Sequence, residues 1–458
     1  MADEIEVRNP YDDSLLGTVP LCGADEVDRA CRTAAAALAR RDLPQHERAR
    51  VLERAADLAR DRADELARTI CSEAAKPIRT ARGEASRCVD TLTFSAVEAR
   101  TLSGELLPME ASAAGAGKLG YAMRVPIGVV AAITPFNFPL NLVAHKLGPA
   151  IAAGCPVVLK PAPDTPLSAI ALRDLLVDAG LPDDWITIVT DRGSEAGAPL
   201  VEHPIPRMVT FTGSAPVGWK IAELAARKRV ALELGSTSPV IVEPGTDVEA
   251  IATAIARTGF SHAGQSCISV QRVLVHRDIA GALTDALVAA AEALVVGDPA
   301  DEATDVGPLI RARENDRVAD WIAEATDGGA RVVTGGALRD RIFPPTVVAD
   351  VPTDCRLYKD EVFGPVVDVN RYHDLDQAIA MANATDHAIH AGIFTPDLAT
   401  ALRAARELDF AGVLVNEVPT YRADQQPYGG VRDAGNTREG PAYAVREMTE
   451  LKTVTLQG

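Results

Sequence analysis

The sequence predicts an α/β protein made of two doubly wound units, each a largely parallel sheet covered by helices, with a cleft between them. Two observations carry this. From residue 126 onward, short apolar runs alternate with helical stretches, the pattern of βαβ units whose strands are buried on both faces. Ahead of them, residues 24–102 place Ala, Leu and Val at helical spacing, with breaks at Pro44 and Pro77.

The clearest early helix spans 47–58, where opposite charges alternate on the outer face. In the first sheet unit, the runs 128–133, 156–159, 185–189, 208–211 and 230–232 read as strands, and 167–177 and 218–227 as helices. A second unit occupies about 236–425. Its expected strands are 240–242, 270–275, 332–334 and 412–415, and its expected helices 280–294 and 316–325. Residues 451–457 alternate like a strand and need a sheet edge to pair with, on another subunit if not on this one.

The 458 residues are enough for two or more large cores, and 47% hydrophobic with 24% charged residues is the balance of a soluble globular protein. A net charge of −18 lacks the basic footprint that nucleic acid or an anionic membrane requires. It does not exclude a locally basic pocket for an anionic substrate. The seven cysteines are scattered, odd in number and never paired as C-x-x-C, which fits reduced thiols in a cytoplasm. The amino terminus has neither the basic nor the apolar region of a signal peptide. No apolar run reaches the roughly 20 residues of a membrane span, and no histidine spacing matches a metal site.

Cys267, in Gly264-Gln265-Ser266-Cys267, is the candidate nucleophile, because its flanks are loop-like and lack apolar periodicity. A thiolate adds readily to an aldehyde, and a helix beginning near Cys267 would lower the thiol pKa. A small buried core cysteine is the alternative. Glu233 closes an apolar strand, where burial raises a carboxyl towards a useful base; a structural ion pair is equally compatible. Asn137, after Pro135 and Phe136, offers an uncharged donor for an oxyanion or, instead, an Asx turn. Lys160 ends a strand and can meet a ribose or phosphate. The run from Phe211 through Gly213 and Ser214 to Gly218 leads from strand to helix, a place for a pyrophosphate that is not G-x-G-x-x-G. Glu361 and Phe363 precede a Gly-Pro turn, where they can meet a ribose and a nicotinamide. His262 raises the separate possibility of a Cys-His hydrolase dyad.

In order and spacing, 133–139 (Ile-Thr-Pro-Phe-Asn-Phe-Pro), 159–161 (Leu-Lys-Pro), 211–214 (Phe-Thr-Gly-Ser), 232–235 (Leu-Glu-Leu-Gly), 264–267 and 361–365 (Glu-Val-Phe-Gly-Pro) resemble the aldehyde dehydrogenase superfamily across essentially the whole chain. The resemblance implies an NAD(P)-binding domain over 1–112 and 126–234 and a catalytic domain over 235–426. It also implies a small β bridging element, from 113–125 and 443–458, that builds a homodimer or homotetramer. Cys267 is then the nucleophile, Asn137 and the Cys267 N–H the oxyanion donors, and Glu233 the base that hydrolyses a thioester. Lys160, Thr134, Pro135, Phe136, Gly213, Ser214, Gly218, Leu234, Glu361 and Phe363 are then the residues that hold NAD or NADP, with no metal.

Two positions depart from the pattern. Pro163 follows Lys160-Pro161-Ala162 where the family often has an acidic residue, which leaves room for the 2′-phosphate of NADP; Ser236 replaces a glycine. The runs 390–395 and 416–430 are similar to a branch acting on lactaldehyde, phosphono-aldehydes and glyceraldehyde 3-phosphate. A small, polar aldehyde is the implied substrate: phosphonoformaldehyde, phosphonoacetaldehyde or lactaldehyde. His145, Arg100 and Arg422 are candidates for an anionic group. Some phosphate-using relatives carry Arg before the nucleophile, where this chain has Ser266. A CoA-acylating enzyme and a catalytically silent homologue are the alternatives, and Glu233 argues against the first.

Overall fold

A computed structural model describes residues 4–225 and 227–457. Residues 1–3, 226 and 458, on which the readings of the amino terminus, the helix 218–227 and the bridging segment 443–458 partly fall, lie outside the described residues.

The first sheet has five parallel strands in the spatial order Ile186–Ile188, Val157–Lys160, Val130–Ile133, Met208–Thr212 and Arg229–Glu233. In chain order this is 3-2-1-4-5, so the direction of winding reverses beside Val130–Ile133, where ligands bind in open α/β sheets. The strands are buried on both faces, as their unbroken apolar runs require. Val130, Ala132, Val157 and Leu159 point into one core with helices Gln45–Asp61, Ile78–Thr101, Asn141–Ala153 and Pro166–Asp178. Ala131, Ile133, Val158 and Phe211 point into the other, with Ala24–Arg40 and Ala215–Leu224. The alternation is the two-residue period of a strand. Pro44 and Pro77 each immediately precede a helix, as expected of residues that cannot continue one. The helix expected over 218–227 begins earlier, at Ala215, because Pro216 is tolerated in a first turn.

The second sheet has seven strands: Arg331–Thr334, Thr346–Ala349, Val366–Tyr372, Arg272–His276, Pro239–Val242, His390–Phe394 and Gly412–Val415. All pairings are parallel except the first, an antiparallel edge. Thr346–Ala349, Val366–Tyr372 and His390–Phe394 are additional to the strands expected from sequence, as is an N-terminal hairpin of Glu4–Arg8 and Leu15–Pro20. The closing strand, Thr449–Gln457, pairs antiparallel with Lys118–Pro126 of its own chain, and Glu105–Leu107 completes this third sheet. Among the described residues no second strand pairs with Thr449–Gln457, which forms the edge of this sheet.

One buried ion pair fixes the approach to the cleft. Lys76 and Glu84 are fully buried partners. The second Glu84 oxygen accepts from the N–H groups of Leu140 and Asn141 at 2.9 and 3.1 Å, where helix Asn141–Ala153 starts. That helix end needs acceptors for its free N–H groups, and the Lys76 ammonium also lies 3.7 Å from the centre of the Phe138 ring. Segment 137–141 is thereby held from below. Glu84→Ala leaves Lys76 buried without a counter-charge and should cost about 3–5 kcal/mol, measured as a lowered urea midpoint with unchanged slope.

Candidate active site

Parallel register brings the chemistry to one edge. Ile133 is paired with Lys160 and with Phe211, and Phe211 with Leu232. Residues immediately after that row therefore meet at the carboxyl end of the sheet: Thr134 to Asn137, Lys160, Gly213 with Ser214, and Glu233. The segment 434–436 closes over the last strand, where Leu234 N–H donates to Ala434 O at 3.0 Å and Leu232 N–H to Asn436 Oδ1 at 2.8 Å.

From the second unit comes Cys267. The preceding loop runs through left-handed backbone at His262 (φ 50°), Ala263 (φ 54°) and Gly264 (φ 70°), a costly conformation for the two residues with a Cβ. Gly264 has no alternative, since a Cβ there would lie 2.1 Å from Gly364 O. No helix begins at Cys267; the loop continues to strand Arg272–His276. The expected helix dipole is absent, and burial pushes the Cys267 thiol up to about 12 while a hydrogen bond from Tyr428 acts against it. The thiol is the partly exposed one of the seven free cysteines; the other six are buried.

Asn137 is 3% exposed, and its Nδ2 donates to Gln265 O at 3.0 Å. This bond ties the first unit to the nucleophile loop and leaves the second amide N–H for another acceptor. Glu233 is 2% exposed and neither carboxylate oxygen has a partner. Burial, then the nearby Glu439 charge, holds its carboxyl well above the usual range, which favours the neutral form. The backbone of Gly429 packs so close that a Cβ there would lie 2.4 Å from Glu233 Oε1.

His145 and Arg422 belong to the same buried group. His145 Nε2 lies 2.9 Å from Asp424 and 3.2 Å from Arg422, and its Nδ1 has no partner. Arg422 Nη2 donates to Glu439 at 3.0 Å, while its buried Nε is unpaired. Lys146 lies 3.5 Å from Glu439, and Arg87 holds Asp424 with two bonds. Asp424 is held well below the ordinary carboxylate range: its partners His145 and Arg87 outweigh burial, which alone would raise it. Three cations (Arg87, Lys146, Arg422) face three carboxyl groups (Asp424, Glu439, Glu233), of which Glu233 is the one pushed towards its neutral form. Arg100 lies elsewhere, an exposed residue of helix Ile78–Thr101 bound to Glu53 on the surface. Its spacing gave no direction for the side chain. His262 is buried with both ring nitrogens unpartnered; the partner of Cys267 is Tyr428, so the Cys-His dyad is not formed.

Several groups along the crevice have the chemistry to meet a nicotinamide dinucleotide. The buried Thr134 hydroxyl has no partner, and helix Ala215–Leu224 presents its N-terminus without a side-chain cap beside exposed Ser214, a ready place for a pyrophosphate. Gly213 and Gly218 have no room for a Cβ, which would lie 2.5 Å from the Phe211 ring and 2.4 Å from Leu234. Phe136 and Phe363 meet edge to face at 5.8 Å, and Phe363 is held at φ 45°. Burial raises the Glu361 carboxyl to about 7, opposed by the Ser236 N–H that it accepts at 3.1 Å. Lys160 pairs with buried Asp191 at 2.7 Å. The carboxylate that 160–163 lacks therefore arrives from another loop, through a contact that local sequence does not reveal. Among the described residues no group of three or more His, Cys, Asp or Glu could hold a metal ion, and no helix is long and apolar enough to cross a membrane.

Residues 1–454 match the family model described as the aldehyde dehydrogenase family. The chain is 43% identical to a 3-sulfolactaldehyde dehydrogenase of Priestia aryabhattai, over 99% of this chain and 95% of the relative. Among solved structures it is similar to aldehyde dehydrogenase 21 from Physcomitrella patens in complex with the product succinate, with TM-score 0.96, 38% identity, and coverage of 100% and 95% of the two chains. It is also similar to glyceraldehyde-3-phosphate dehydrogenase GapN of Methanocaldococcus jannaschii complexed with NADP, with TM-score 0.95, 35% identity and full coverage of both chains. A crevice for a dinucleotide, a thiol beside a side-chain amide and a partnerless carboxyl thus fall in a chain matched from end to end, and the protein belongs to the aldehyde dehydrogenase family.

Proposed function

We propose that this protein oxidises a small aldehyde carrying an anionic group to the carboxylic acid, using NAD or NADP. Sulfonated, phosphonated and carboxylated aldehydes of one to four carbons form the substrate class, with lactaldehyde as the uncharged alternative. The observation that carries the reading is the buried Arg422 guanidinium over the ring of Tyr428, which bonds the Cys267 sulfur, with its Nε left without a partner. The names of the relatives point the same way, to 3-sulfolactaldehyde and succinate. Ser266 in place of a cation before the nucleophile favours the smaller anions over glyceraldehyde 3-phosphate.

In this reaction Cys267 Sγ bonds to the carbonyl carbon, and the free Asn137 N–H with the Cys267 backbone N–H stabilises the oxyanion. A bound dinucleotide supplies the hydride acceptor, which leaves a thioester on Cys267. Lys160, Thr134, Ser214, Glu361 and Phe363 hold that dinucleotide. Glu233 takes a proton from water, the water oxygen bonds to the acyl carbon, and the C–S bond breaks to release acid and thiol. This base is the reason to prefer hydrolysis to acyl transfer to CoA. Residues 1–112 with 126–234 serve as the dinucleotide-binding domain and 235–426 as the catalytic domain. The open edge of Thr449–Gln457, with Leu451 and Leu456 half exposed, supports a homodimer or homotetramer built through 113–125 and 443–458.

The deciding assay offers 3-sulfolactaldehyde, lactaldehyde, phosphonoacetaldehyde, phosphonoformaldehyde, succinic semialdehyde, glyceraldehyde 3-phosphate and propanal with each dinucleotide, without CoA. An anionic aldehyde should exceed propanal in kcat/KM by about tenfold or more, with the acid as product; equal use of propanal rejects the substrate class. Cys267→Ala should abolish cofactor reduction. Glu233→Gln should retain a burst of about one equivalent of reduced cofactor per subunit, followed by slow turnover as the thioester accumulates. Because the Glu233 carboxyl is pushed up, the base form gains as pH rises. Turnover of the parent limited by hydrolysis should therefore keep climbing as pH rises above the ordinary carboxylate range, and the Gln variant should lose that limb. Leu451→Asp with Leu456→Asp should reduce the mass measured by sedimentation if the open edge builds the oligomer.

A further inference from the structure

Tyr428 is a buried residue whose hydroxyl has one hydrogen-bond partner among the described residues, the Cys267 sulfur at 2.7 Å. We propose that Tyr428 is a positioning donor to the nucleophile: its phenol holds the Cys267 sulfur aimed into the cleft and stabilises the ionised sulfur that attacks the aldehyde. The inference rests on the reading of Cys267 as nucleophile.

Three contacts hold the phenol in place. The backbone N–H of Tyr428 donates to Glu439 O at 3.1 Å, and the Glu439 N–H donates back to Tyr428 O at 2.6 Å. The Arg422 guanidinium lies 3.8 Å from the centre of the ring, itself tethered to the Glu439 side chain at 3.0 Å. His390 meets the ring edge to face at 5.2 Å. The ring therefore has little freedom to swing, and its hydroxyl is directed by the rest of the group.

Chemistry fixes the direction of the bond once the sulfur ionises. A protonated thiol and a phenol can each donate, but a thiolate has no proton, so the phenol must be the donor in the reactive state. A hydrogen bond to the charged form favours that form, and a cation over the ring makes the phenol a better donor. No Lys, Arg or His side chain is bonded to Cys267 Sγ among the described residues, which leaves Tyr428 as its donor. The adjacent Gly429 lies against the Glu233 carboxyl, so one dipeptide touches nucleophile and base. A phenylalanine would fill the same space and keep the ring contacts. The hydroxyl is therefore explained by what it bonds.

The test measures the rate of alkylation by iodoacetamide against pH on the full-length, cofactor-free protein. The other six cysteines are buried, and Cys267→Ala sets the background. Tyr428→Phe should alkylate about tenfold more slowly at a fixed pH near 8, with the profile moved up by about one unit, and should lose kcat/KM for the aldehyde. Replacement of Tyr428 by 3,5-difluorotyrosine, a more acidic phenol of nearly the same shape, should move the profile down. A Phe profile superimposed on the parent overturns the proposal, as does faster alkylation without a shift, which would make the phenol a mere cover. Full cofactor reduction by Cys267→Ala would instead refute the nucleophile itself, whatever Tyr428 does.

Discussion

The return of residues 434–436 to the edge of the first sheet is the constraint on which the cleft depends. Two backbone bonds and the Asn436 side chain hold this segment against Leu232, Glu233 and Leu234. The second unit is thereby fastened to the strand that carries the base. Tyr428 and Gly429 are delivered to Cys267 and Glu233 by the same return, and the Tyr428–Glu439 backbone pair keeps it from splaying. A glycine stands at 435 because its φ is 134° and a Cβ would lie 2.2 Å from Leu232 O. The site is thus not a set of residues on one scaffold but the seam where two are joined.

Along that seam the usual accounting of buried polar groups fails locally. Two buried carboxylates outside the cleft show the ordinary case: Glu73 accepts from Leu167 and Ser168 N–H, and Glu84 from Leu140 and Asn141 N–H. At the cleft, Glu233, Asn137 Oδ1, Thr134 Oγ1, His145 Nδ1 and Arg422 Nε have no partner. Leaving such a group unsatisfied costs about 1–3 kcal/mol. Their concentration beside one partly exposed thiol makes sense where substrate, water and cofactor supply the missing bonds. Asp191 shows the contrast. Lys160 and the N–H groups of Ala196 and Gly197 already engage it, so it stands as a neutralised pair and not as a bare charge.

What the sequence disclosed and what it hid follow one physical line. Strands buried on both faces, such as Val157–Lys160, announce themselves as apolar runs. Val366–Tyr372 does not, because Asp368 and Asn370 interrupt it, the Asn370 amide donating to Asp368 Oδ1 inside the sheet at 3.0 Å. Cys267, Glu233 and Asn137, the residues proposed as nucleophile, base and amide, stood out by their motifs, and Asn137 bonds the loop that carries Cys267. Arg100 was not separable from Arg422 by composition, since only the packing of helix Ile78–Thr101 decides that one faces Glu53 and solvent. Asp191 and Tyr428 were silent for a related reason. Each matters through a contact made across the fold, Tyr428 at a separation of 161 residues from Cys267.

The electrostatics also order the proposed reaction. Burial raises both the Cys267 thiol and the Glu233 carboxyl, and a charge on Glu233 raises the thiol further. Two acids in one dry pocket resist ionising together. During acylation the sulfur needs the charge, and a neutral Glu233 is then an advantage, because it places no like charge beside the thiolate that Tyr428 steadies. Once the thioester has formed, the sulfur is neutral and can no longer be destabilised by its neighbour. An ionised Glu233 then opposes no charge on sulfur and can act as the base that hydrolysis requires. A carboxyl kept near the ordinary range would be charged too early and would oppose the first step. Removal of the Tyr428 hydroxyl should therefore weaken acylation while leaving Glu233 free to act on any thioester that does form.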